Sequence, residues 1–194
     1  MKYELTDMVL ETECGLVLHR IRALRDIPER EVAAGDLGGG VESEANLSQD
    51  GDSWVYGDAY VSGDAYVFGD ALVSGNARVF GDAYVFGDAW VYGDALVYGD
   101  ALVYDNAYVS GDARLPSRNS IFMASYVGTE NGTLTVTSGV SGLVVTRGCF
   151  TGSVDEFLER SREFHDDKTH NEYRMLIDVA KSRIPVHAVP DTED

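Results

Sequence analysis

Gly81-Asp82-Ala83-Tyr84-Val85-Phe86-Gly87-Asp88-Ala89-Trp90-Val91-Tyr92-Gly93-Asp94-Ala95-Leu96-Val97-Tyr98 says one phrase three times: Gly-Asp-Ala, a bulky residue, Val, an aromatic. Outward from this block the phrase extends from Gly51 to Pro116. Valine recurs at every sixth position as Val55, Val61, Val67, Val73, Val79, Val85, Val91, Val97, Val103 and Val109, and Leu115 completes the series. A fixed internal period is the signature of a solenoid, and a period of six predicts a parallel β-helix. In the unit Trp90-Val91-Tyr92, alternation along a strand sends Val91 to one face and both aromatics to the other. Gly93 and Asp94 then turn the chain, since both tolerate left-handed backbone. Ala95 is small enough for an inward corner. Small Val and Ala therefore line the interior, and the bulky residues face out.

The rhythm continues in degraded form on both sides. Val41 and Leu47 are six apart, with a two-residue insertion before Val55; downstream, Leu115, Ile121 and Val127 keep step, and a one-residue slip leads to Leu134 and Val140. At three units per turn this predicts an all-β solenoid over residues 41–147, with about six coils. An open solenoid end is an unpaired edge that invites stacking, so both flanks are expected to act as lids. Residues 1–40 contain a strand candidate, Leu16 to Leu24, and read as an N-terminal β cap. Residues 148–194 change period and read as a helical hairpin with a frayed tail from Pro190. Ser153-Val154-Asp155-Glu156 and Thr169-His170-Asn171-Glu172 are capping boxes. Phe157, Leu158, Ser161 and Phe164 follow the first at helical spacing, and Tyr173, Leu176, Ile177 and Ala180 follow the second. Pro185 ends the second helix. The hairpin is expected to cover the last coil or a partner subunit.

Length and composition fit one elongated domain with caps: 194 residues, 44% of them apolar. Met1-Lys2-Tyr3-Glu4-Leu5-Thr6-Asp7 lacks the apolar core of a secretory signal, and Gly-Asp interrupts every apolar run, so no membrane segment is expected. Cys14 and Cys149 form neither a CxxC pair nor a disulfide framework and read as two reduced thiols. The net charge is −18. Residues 51–116 carry ten aspartates against two cations, Arg78 and Arg114. Such a surface repels nucleic acid and anionic membrane, so direct binding to either is not expected.

The chemistry of an enzyme is missing. The four histidines, His19, His165, His170 and His187, all lie outside the repeat. His165 and His170 are five apart, the wrong spacing for a metal pair on one helix face. At an 18-residue stacking period Asp52, Asp70 and Asp88 form one column, Asp58, Asn76 and Asp94 another, Asp64, Asp82 and Asp100 a third. A calcium cage needs six to eight converging oxygens, and each Asp is better read as a turn residue bonding its own backbone. No catalytic residue, metal or cofactor is expected.

The aromatics point elsewhere. Of 20 in the chain, 13 lie in residues 51–116, and alternation places every one outward. The columns read Trp54, Leu72, Trp90, Tyr108; Tyr66, Tyr84, Leu102; Phe68, Phe86, Tyr104; and Tyr60, Arg78, Leu96, Arg114. Exposed apolar patches mark interaction sites, and Trp and Tyr are enriched at interface cores. Trp54, Tyr66, Phe68, Tyr84, Phe86, Trp90, Tyr104 and Tyr108 are therefore candidates for a dimer or trimer interface or a partner surface. Arg20, Arg22, Arg78 and Arg114 are candidates for contact with an anion.

Three further segments, Gly35-Asp36-Leu37-Gly38-Gly39, Asn46-Leu47-Ser48-Gln49 and Trp54-Val55-Tyr56-Gly57-Asp58-Ala59, resemble the hexapeptide-repeat, polymer-forming proteins of phages and prophages. Leu18 to Leu24, the exit Gly148-Cys149-Phe150-Thr151-Gly152 and the following Glu156-Phe157 are similar to that family as well, so the likeness spans about residues 1–160. Gly40 departs from it, standing where a bulky residue is expected, which loosens the N-terminal lid. The resemblance implies a left-handed helix, a viral or mobile-element source and a role in the host cytoplasm. With no catalytic motif to carry over, it implies an accessory protein that self-associates and sequesters or blocks a host component, a defence protein or its signalling nucleotide. A structural or filament-forming rod is the alternative. The coil pattern also resembles that of hexapeptide acyltransferases, whose working histidine has no counterpart on these coils, leaving a degenerate relative as a third reading.

Overall fold

The computed structural model describes residues 1–12 and 15–185; Cys14, His187 and the tail beyond Pro190 lie outside the described residues. Three strands open the chain: β1 (Tyr3–Glu11), β2 (Val17–Ala23) and β3 (Leu37–Val41). Eleven two-residue strands follow, one per repeat: β4 (Trp54–Val55), β5 (Tyr60–Val61), β6 (Tyr66–Val67), β7 (Leu72–Val73), β8 (Arg78–Val79), β9 (Tyr84–Val85), β10 (Trp90–Val91), β11 (Leu96–Val97), β12 (Leu102–Val103), β13 (Tyr108–Val109) and β14 (Arg114–Leu115). They stack in parallel at an offset of 18, three units to the turn, as the registers Trp54↔Leu72, Tyr60↔Arg78 and Tyr66↔Tyr84 show. Three sheets make the sides of the solenoid: β3-β5-β8-β11-β14, extended by β2 and β1; β4-β7-β10-β13; and β6-β9-β12.

Every repeat Val and Ala is fully buried, from Val55 and Ala59 to Val109 and Ala113. The turns close as their residue types require. Gly75 has φ +69, and a Cβ there would meet the amide nitrogen of Gly93 in the next coil at 3.0 Å. The rungs also bond through their corners: Asp82 N donates to Gly99 O at 2.9 Å, as Phe86 N does to Val103 O along the side.

Upstream, Val41 pairs with Val61 and Leu47 bridges to Val67, so the first coil starts where the degraded period places it. Downstream, the period misleads. The solenoid has about four turns rather than six, a rod roughly 20 Å long at ~4.8 Å per rung. Ile121, Val127 and Leu134 belong to an antiparallel sheet of β15 (Ile121–Val127), β16 (Gly132–Gly139), β17 (Gly142–Arg147) and β18 (Phe150–Ser153). The physical cause is local. Ser117-Arg118-Asn119 stands where the next Gly-Asp-Ala turn would fall, and Thr133-Leu134-Thr135-Val136-Thr137 alternates with period two.

This sheet closes the last coil. Ala113 bridges to Gly139, Tyr108 N donates to Thr135 Oγ1 at 3.2 Å, and the hydroxyls of Ser110 and Thr151 pair at 2.8 Å. The helices α1 (Val154–Phe164) and α2 (Asp167–Arg183) pack on the sheet, not on the coil as expected. They share a second core of Val127, Leu134, Val136, Val145, Phe157, Tyr173 and Ile177. Ser153 and Glu156 form the foreseen capping box. The second box does not form: Asp166 caps α2 by accepting from Thr169 N, which leaves Thr169 inside the helix.

At the other end, Lys2 and Tyr3 seal the first coil. The Gln49 side chain bonds both their amides, and Tyr3 Oη donates to Leu47 O at 2.7 Å. Lys2 is fully buried, its Nζ donating to Ser53 O at 2.7 Å and Ser53 Oγ at 3.0 Å. Gly40 does not loosen this lid. A Cβ there would lie 3.2 Å from both Leu10 and Leu18, whose side chains occupy the place of the missing bulky residue.

Two outcomes follow for stability. Gly75→Ala lowers the unfolding free energy by roughly 1–3 kcal/mol, whereas Asp105→Gly, at a turn whose Asp already holds φ +51, changes it by less than about 1 kcal/mol; urea midpoints at constant slope measure both. Burial holds the Lys2 ammonium at a pKa of about 8, below its ordinary 10.5. Below pH 8 both folded and unfolded chains carry the proton and the folded state bears the full desolvation cost. Between pH 8 and 10.5 the folded state releases a proton that the unfolded state keeps, so stability rises with pH. The unfolding free energy relative to Lys2→Met should climb by up to about 3 kcal/mol across that window.

Candidate functional site

The sides of the solenoid carry the ladders that the 18-residue period requires, with one correction. Trp54 does not face solvent. It is 0% exposed, its ring meeting Tyr3 edge-on at 6.5 Å under the N-terminal cap. Alternation correctly sends it away from the valines, but the cap covers that side, so it cannot belong to an open interface. Trp90 and Tyr108, above it in the same column, remain partly accessible with ring centroids 5.4 Å apart.

The third side, β6-β9-β12, carries a ladder of five rings. Tyr66 stacks on Phe68 at 5.0 Å, Phe68 on Phe86 at 4.9 Å, and Phe86 on Tyr104 at 5.7 Å, while Tyr84 meets Phe68 edge-on at 6.5 Å. Each such pair adds about 0.5–1.5 kcal/mol beyond its buried area, so the ladder stiffens the rod while still presenting ring edges. Asp64, Asp70, Asp82, Asp88 and Asp100 stand exposed at the turns along the rod.

The candidate anion contacts share the other sheet but do not form a cluster. Arg20 aligns with Gly40, and the row continues through Tyr60, Arg78, Leu96 and Arg114. Arg20 pairs with Asp58 at 3.1 Å and Arg22 with Glu4 at 3.1 Å. Arg114 donates to the carbonyls of Asp94 and Ala113, both at 2.9 Å. Arg78 lies over the Tyr60 ring at 5.6 Å, and Leu96 separates it from Arg114. The column aspartates stand at the turns, but where they hydrogen-bond it is between coils and not to their own backbone as expected: Asp52 N donates to Asp70 Oδ1 at 3.2 Å and Asn76 Nδ2 to Asp94 Oδ1 at 2.9 Å. Among the described residues no three His, Cys, Asp or Glu side chains converge as a metal site. His19 and His170 are engaged with Thr6 O and Ser161 Oγ, and Cys149 is a free, exposed thiol. Among the described residues no helix is long and apolar enough to cross a membrane.

A feature that period-six reasoning misses lies where the last coils meet the antiparallel sheet. A cleft of about 660 Å³ opens there, lined by Asp105, Tyr108, Tyr126, Asn131, Thr133 and Arg147 among others. The clue was in the sequence. At Asp105-Asn106 the repeat loses its glycine, the one such lapse between Gly51 and Gly111.

No known protein family and no characterised protein matches this chain in sequence.

The two tryptophans should separate packing from display. Trp54→Ala is expected to cost about 3 kcal/mol or more, the range for emptying a buried aromatic site, and Trp90→Ala about 1 kcal/mol or less. Chemical denaturation of the two variants side by side measures the difference.

Proposed function

We propose that the chain is a non-enzymatic, left-handed β-helix that self-associates through an aromatic side and sequesters a host component, a protein or a small signalling nucleotide, in the cytoplasm. The observation that carries self-association is the five-ring surface of Tyr66, Phe68, Tyr84, Phe86 and Tyr104 on an otherwise acidic rod. Stacked rings lose little side-chain freedom on docking, and central aromatic anchors supply most of an interface's free energy. The covered ends favour a closed dimer or trimer over an end-to-end filament, because both terminal coils already spend their backbone groups on the caps.

Two copies meeting on this side bring their turn aspartates near one another. Like charges at an interface rim oppose association, and salt screens them within about 10 Å at 0.1 M. Sedimentation equilibrium should therefore give a mass above the 21.1 kDa of one chain, with association tightening as salt rises. Phe86→Asp, in the middle of the ladder, should return the protein to monomers. A mass of one chain at every concentration and salt level would refute the reading.

A further inference from the structure

Among the described residues, four non-glycine positions hold left-handed backbone, and three of them line this cleft: Asp105 at φ +51, Tyr126 at φ +59 and Asn131 at φ +50. Asp and Asn accept this conformation readily; an aromatic does not. Tyr126 sits at a bulge, where the register between β15 and β16 shifts between Ala124 and Val127, and its side chain is thrown out to 83% exposure. Bulges of this kind re-aim a side chain and are common beside binding sites.

Facing the same space is Arg147. A Cβ on Gly132 would fall 2.4 Å from Arg147 Nη1, so the guanidinium lies against the bare backbone of β16. Its Nη2 donates to Val127 O at 3.2 Å, its Nε is buried without an acceptor, and among the described residues no carboxylate pairs with it. Several arginines lack an ion pair, but among the described residues only Arg147 also keeps a buried guanidinium nitrogen without an acceptor. The hydroxyls of Ser125 and Thr133, 3.0 Å apart, and the half-buried Tyr108 ring complete the walls.

We propose that this cleft binds a small planar anion of nucleoside-monophosphate size. The Nη N–H groups of Arg147 that Val127 O leaves free receive its phosphate or carboxylate, and the rings of Tyr108 and Tyr126 receive its planar part. A guanidinium fork suits an oxyanion, aromatic faces suit a base or other flat ring, and the volume lies within the range of small-molecule sites. The inference rests on the proposed role as a binding protein, and not on self-association.

Isothermal titration with adenosine 5′-monophosphate tests it, with 4-hydroxybenzoate as the carboxylate probe and inorganic phosphate and adenosine as half-probes. The expected result is one-to-one binding of at least one planar anion, at least tenfold tighter than either half-probe. Tyr126→Ala, a change at an exposed side chain, should weaken it about fivefold or more, and Arg147→Gln should abolish it. Unchanged melting of Arg147→Gln shows that the loss is not one of folding; if that variant melts early, Tyr126→Ala decides alone. Phe86→Asp should retain the affinity, and Tyr126→Ala should retain the sedimentation mass, so failure of the cleft and failure of the oligomer are read separately. No binding below about 5 mM, phosphate binding as tight as the nucleotide, or affinity indifferent to Tyr126 would overturn the proposal.

Discussion

Everything in this molecule depends on how closely one coil must lie on the next. Rungs at the spacing of hydrogen-bonded strands, ~4.8 Å, leave an interior that takes Val and Ala, and all of those positions in the repeat are fully buried. The same closeness governs the corners, where a Cβ on Gly75 would press on the backbone of Gly93. Interior and corners thus admit few residue types, and sequence variety is forced outward onto the sides. That is why one chain can be monotonous in its core and still carry Trp, Tyr, Phe, Leu or Arg at a single surface position.

Close stacking has an electrostatic consequence. Turn aspartates recur in columns one rung apart, and nothing on the rod neutralises most of them. The arrangement persists because all of these carboxylates but the half-buried Asp52 are exposed to water, where charges a few ångströms apart interact by only about 1 kcal/mol, and because some bond locally, as Asp70 and Asp94 do with the coil beside them. Aromatic ladders add attraction along the same axis. The rod thus carries its charge at the corners and its rings on the sides.

Repetition made the solenoid legible from residues alone. The columns Trp54-Leu72-Trp90-Tyr108 and Tyr60-Arg78-Leu96-Arg114 follow from counting, and the registers reproduce them. Where repetition stops, counting fails. Ile121 and Val127 keep the period of six by coincidence, while the alternation of Thr133 to Thr137 and the turn from Gly128 to Asn131 are the stronger local signals for antiparallel pairing. Trp54 shows another limit. Its direction is a property of its own strand, but its burial is a property of Lys2 and Tyr3, roughly fifty residues earlier in the chain. A buried lysine bonded to Ser53 is likewise invisible to composition, because Lys at a terminus ordinarily stays in water.

The cleft at the junction obeys the same logic in reverse. A perfect repeat presents equivalent turns, none able to act differently from its neighbours. Specific recognition requires broken equivalence, and the chain breaks it beside its last complete turn. Asp105 replaces glycine, β15 bulges at Tyr126, and an arginine without a counter-charge lies against Gly132. Each departure is locally unfavourable or neutral for the fold, yet all three line one concavity. The solenoid supplies a rigid wall on one side and the antiparallel sheet, fixed by its own core with α1 and α2, supplies the other. Walls held by two separate cores confine a ligand without having to order around it, which lowers the entropic cost of binding.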